Sequence, residues 1–128
     1  MDSEGEKLLE EIKAKRGFVL DFHRLLAEED HAFLRRYEDM VSAAYADDRT
    51  LDKKTKELIF IAALMSLDAD PAHIGTHMKL ALEHGASKKE ILEVLECVYP
   101  PCGTLRFMNA LKAFKQAVLD PENERRKR

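Results

Sequence analysis

Tryptophan is absent from this sequence, and glycine, proline and cysteine are scarce, at five, four and two in 128 residues. Few turn-formers and many Leu, Ala, Glu and Lys residues argue against a strand-rich fold and for an all-α one. Two cysteines cannot build a disulfide framework. No apolar run approaches the roughly 20 residues that a membrane-spanning helix needs. The net charge of −3 is too small to steer the chain toward nucleic acid or an anionic membrane. The one basic cluster, "ERRKR" (Glu124 to Arg128), reads as a solvated tail. The opening "MDSEGEKLLEE" is acidic and lacks the basic and apolar regions of a secretory signal, so a cytoplasmic location is expected.

Helical periodicity runs through most of the chain, and no alternating strand pattern stands out. Leu8, Leu9 and Ile12 predict a short helix broken near Gly17, and residues 18–28 a second. Phe33, Leu34, Tyr37, Met40, Val41 and Ala44 mark a longer amphipathic one. Asp52 can cap a helix reaching about Leu67, whose second half, "LIFIAALM", is apolar on every side. Such a helix is central, or pressed between its own domain and another subunit. Glu57 stands just before that run, and a carboxylate buried there needs a partner.

Asp70-Pro71 predicts a sharp helix start, and Gly85 a left-handed stop. "SKKE" (Ser87 to Glu90) is a capping box for the next helix, which Pro100-Pro101 is expected to end. A final helix after Gly103 carries Phe107, Leu111, Phe114 and Val118 on one face and should stop near Asp120-Pro121. The expected architecture is a single domain of about six to seven helices: residues 1–50 as its N-terminal helices, 51–119 as its core, and 120–128 as a disordered charged tail.

The chemistry concentrates in "DPAHIGTHMKLALEHG", where three of the five histidines share one helix. With His73 at zero, His77 falls near ~40° and His84 near ~20°, bordering the apolar face rather than lying within it. Three readings fit this stripe. The histidines are polar boundary residues; or Asp70, His73 and His77 hold a divalent metal, although no HExxH signature supplies a base; or His77 and Glu57 form an acid–base pair.

Three segments carry a resemblance: "KEL" opening the apolar helix, "HMKLALEHGASKKEI" with its helix–glycine–helix break, and the closing "YPPCGTLRFMNAL". The upstream "EEDHAFLRRYEDMVSAAY" is a fitting lead-in helix. From Leu51 to Phe114 the chain resembles the carboxymuconolactone decarboxylase family, which includes the alkylhydroperoxidase D-like proteins. The resemblance implies an all-helical fold that assembles as a homotrimer or homohexamer, with its active site near a subunit contact. It makes His77 the recurrent histidine and Glu57 its partner, with one residue more between them than the family pattern has. The hydroperoxidase branch carries a Cys-x-x-Cys pair where Asp70 and His73 stand here, and a carboxylate and an imidazole cannot run a thiol–disulfide cycle. Cys97 and Cys102 lie a helix later, and a peroxidase acting through one of them is the alternative reading.

The decarboxylase branch also lacks those cysteines, uses no cofactor and acts on a small carboxylated lactone. It implies His77 as proton donor, Glu57 as its orienting group and His73 sharing the proton or binding the substrate carboxylate. Asp70, Tyr99 and Arg106 are further candidates at the substrate, Lys79 being an alternative cation. The expected partner is a small molecule, without nucleic acid or membrane.

Overall fold

The computed structural model describes residues 2–127, and every regular element among them is helical. The chain divides into two compact units, one ending at Arg49 and one beginning at Thr50.

The first unit contains α1 (Ser3–Arg16), α2 (Asp21–Glu29) and α3 (His31–Val41), the last running into a π-helical turn, Ser42–Ala46. Gly17 closes α1 at φ 85°, a left-handed conformation that favours glycine. Leu8, Ile12, Ala27 and Leu34 form a small core. The second helix starts at Asp21 rather than at residue 18 as the periodicity suggested. Its N-cap, Leu20, has no polar side chain, and the Leu20 amide donates instead to Nδ1 of His23 at 2.9 Å.

The second unit holds α4 (Lys53–Ser66), α5 (Pro71–Glu83), α6 (Lys88–Cys102), α7 (Thr104–Phe114), a π turn (Lys115–Leu119) and α8 (Asp120–Arg126). Each expected N-cap forms: Asp52 accepts the Thr55 amide at 2.7 Å, Asp70 accepts that of Ala72 at 2.8 Å, and Ser87 with Glu90 makes the reciprocal box. Ile61, Met65, Ile74, Met78, Ile91 and Leu95 are fully buried between the helices, with Ala110, Ala113 and Phe114 of α7 closing the core. At roughly 1.5–3 kcal/mol for each large side chain, this cluster is the main stabilising element of the unit.

Three boundary expectations are corrected here. Pro100-Pro101 does not end α6, which continues to Cys102. Prolines in a last turn remove only two amide donors, and the chain turns at Gly103, with φ 86° and ψ 176°. The final helix does not stop at Asp120-Pro121, because Pro121 occupies the first turn of α8, where its missing N–H does no harm. Residues 120–126 of the expected disordered tail are therefore helical, anchored where Glu122 meets Lys88 at 3.0 Å and Arg126 at 2.8 Å. On α4, Ile61 and Met65 are buried, whereas Ile59 is half exposed.

Candidate functional site

Two consecutive helices build the site. The turn between α4 and α5, residues 67–70, is held by the Ala69 amide donating to the Leu64 carbonyl at 3.0 Å. Asn109 Nδ2 of α7 donates to the Ala69 carbonyl at 2.8 Å. Asp68 supplies the reversal at φ 54°, a conformation that Asp tolerates better than most residues. This short link makes α4 and α5 close neighbours, so that a residue early in α4 can face one midway along α5.

Glu57 and His77 meet there. Nδ1 of His77 lies 3.1 Å from Oε2 and 3.3 Å from Oε1 of Glu57. Both residues are buried, Glu57 at 0% and His77 at 2% exposure. A carboxylate in that setting keeps its acceptors only if donors surround it, and the imidazole N–H is one. Lys53, one turn earlier on α4, brings Nζ to 4.0 Å from Glu57 Oε1 and adds positive charge on the same side. The ring of Phe60 lies 5.0 Å from the His77 ring, tilted by 39°. Lys53 and Phe60 were not singled out from the sequence. Their spacing from Glu57, i−4 and i+3, is the signal that put them on its face.

His73 sits one turn before His77, its ring 5.5 Å away. Burial of part of the ring and the neighbouring His77 hold its imidazole below the ordinary histidine range, against the opposing pull of Asp70. The helix therefore pairs a sequestered imidazole fixed by a carboxylate with a more exposed one biased toward the neutral form.

The other expected residues have separate settings. The Asp70 carboxylate caps α5. No group of three His, Cys, Asp or Glu side chains among the described residues is placed to hold a metal ion, so Asp70, His73 and His77, the set of the alternative metal reading, do not converge as one. His84 ends α5 as its exposed C-cap. Tyr99 exchanges a hydrogen bond with Thr104 at 2.8 Å and packs edge-on against Phe107. Arg106 and the half-buried Cys102 line a groove with Ile59, Ala62, Ala63 and Val98, while Cys97 is exposed on α6. Lys79 is exposed on α5. No helix of the described residues is long and apolar enough to cross a membrane.

Comparison with known proteins gives one family. Neither a curated protein nor a solved structure matches the chain. The model of the carboxymuconolactone decarboxylase family matches residues 31–116, well over half of the sequence, and the matched stretch contains Lys53, Glu57, Phe60, His73 and His77. The chain belongs to the carboxymuconolactone decarboxylase family.

Proposed function

We propose that the protein is a cofactor-independent acid–base lyase acting on a small carboxylated lactone or a related acid. The observation that carries this reading is the buried contact between His77 Nδ1 and the Glu57 carboxylate. An imidazole held through Nδ1 keeps one tautomer and one orientation, which directs its chemistry to Nε2. In the reaction, the bond between the substrate carbon and its carboxylate breaks and carbon dioxide leaves. The electron pair passes into the conjugated system, and Nε2–H of His77 delivers a proton to the carbon at its far end. Glu57 stabilises the imidazolium before transfer, and solvent restores the proton afterwards. His73, the more exposed imidazole, receives the substrate carboxylate or passes the proton onward. Asp70, Tyr99 and Arg106 remain proposals at the periphery, since each already has another role or a separate setting.

The lyase reading has more support than a peroxidase one because the dyad is built from a carboxylate and an imidazole, with Asp70 and His73 at the branch's cysteine positions. The test is decarboxylation of 4-carboxymuconolactone by the purified chain, with His77→Ala alongside. Turnover that disappears in the variant supports the assignment, and no turnover by the wild type removes the named reaction.

We infer also that second copies of the chain cover the open face of the second unit. Leu105 is 82% exposed, Leu67 75% and Met108 58%, and the same unit carries the groove lined by Ile59, Ala62, Ala63 and Val98. So much exposed apolar surface favours association. The expected assembly is a trimer or hexamer, and a strict monomer in light scattering would refute it.

A further inference from the structure

The first unit contains a buried polar network that the proposed reaction does not use. His23 of α2 is 0% exposed. Its Nδ1 accepts the Leu20 amide at 2.9 Å, and its Nε2 stands 3.1 Å from Oε1 of Glu38 on α3. The same Glu38 oxygen accepts from Arg16 of α1 at 3.1 Å. The Arg16 guanidinium lies over the Phe18 ring at 5.2 Å and near the Tyr45 ring at 5.9 Å. Phe22 covers the imidazole, ring to ring at 4.2 Å.

The Leu20 bond fixes the protonation of the ring. An amide N–H can only donate, so Nδ1 carries the lone pair and the single proton resides on Nε2. That proton points off the line to Glu38, so the contact is electrostatic rather than a well-formed hydrogen bond. The charged groups facing His23 from the neighbouring helices are Arg16 and Glu38, while Asp21 and Arg24 of its own helix pair with each other in solvent.

We propose that His23 is an acid-sensitive latch on the start of α2: on gaining a proton at Nδ1 it must release the Leu20 amide, and the first turn of the helix opens. Two donors cannot face each other at 2.9 Å, so the imidazolium and the cap are mutually exclusive. Glu38 favours the imidazolium, but its nearer oxygen is already shared with Arg16, whose cation opposes a second positive charge. Burial is the largest opposing effect, and with Arg16 it outweighs Glu38, holding His23 below the ordinary histidine range. The closed latch therefore binds a proton less readily than the open one. Its stability is complete above the ordinary histidine value of about 6.5 and is lost as pH falls below it, by up to about tenfold in the closed-to-open ratio per pH unit.

The experiment is hydrogen exchange of the Leu20 amide in the full chain at pH 7.5 and 5.5, corrected for the intrinsic pH dependence of exchange. Protection should fall by about tenfold at the lower pH. His23→Gln, whose amide can accept from Leu20 and donate toward Glu38 without titrating, should hold protection constant. Equal protection of the wild type at both pH values overturns the proposal, as does a fall in the Gln variant equal to that of the wild type. Should His23→Gln fail to fold, the nitrogen-15 spectrum of the wild-type imidazole at pH 7.5 decides. The Nε2–H tautomer is expected, and an Nδ1–H or doubly protonated ring overturns the latch.

Discussion

Replacing Glu57 and His77 by apolar residues of similar volume separates what their contact does for stability from what it does for chemistry. His77→Leu leaves a carboxylate at 0% exposure without its imidazole, with Lys53 4.0 Å away as a nearby cation. Removing one member of a buried pair typically costs about 3–5 kcal/mol. Glu57→Met leaves the Nδ1–H without this acceptor, at about 1–3 kcal/mol. The double variant buries neither group, and such replacements are often neutral or stabilising. The coupling energy should therefore be at least about 4 kcal/mol. For a unit of this size, a destabilisation of about 3 kcal/mol corresponds to roughly 12–24 °C in Tm. Urea unfolding followed by circular dichroism would measure all four proteins. The expected pattern is two weak singles and a double variant near wild-type stability with no decarboxylase activity. A coupling energy below about 0.5 kcal/mol would refute the reasoning, because the two groups would then not sense each other.

Two further outcomes follow from the same unit. A Cβ on Gly75 would lie 3.0 Å from the Cβ of Ala117, which cannot rotate away. Gly75→Ala should therefore lose about 1 kcal/mol net, overpacking of about 1–3 kcal/mol exceeding the gain in helix propensity; Ala117→Gly should restore it, and a stabilised single variant in thermal unfolding would contradict this packing. In proton NMR, His73 should titrate below the ordinary histidine value and move upward in His77→Gln, with its neutral-form contribution to stability present above that value and lost as pH falls through it. A midpoint that stays fixed in the variant would mean that His77 does not act on it.

The sequence made much of this legible because local rules govern the parts that matter. Asp52, Asp70 and Ser87 are good caps in any context, so α4, α5 and α6 begin where those residues dictate. A carboxylate at the edge of "LIFIAALM" required a partner, and the histidine stripe offered one; the distance of 3.1 Å shows which histidine meets it. What stayed hidden depends on tertiary context. Nothing in Leu20 announces an N-cap, since the acceptor is a histidine three residues later. No composition marks the π turns at Ser42–Ala46 and Lys115–Leu119. Phe60 could be placed on the Glu57 face by spacing, but only the structure sets its ring against His77.

The π turn at Lys115–Leu119 bears on how this family can diverge. A π turn is an α-helix with one residue too many, so deleting a residue there restores regular winding instead of shortening a loop. Because the wide turn absorbs the extra residue, deleting it would leave the helix beyond nearly in phase. Glu122 would stay within reach of Lys88, while the bulged backbone that brings Ala117 against Gly75 would be drawn in. A lineage that loses this residue therefore needs to change its contact with α5 but not that with α6. A homologue with an ordinary helix at this point should carry a residue other than glycine at position 75.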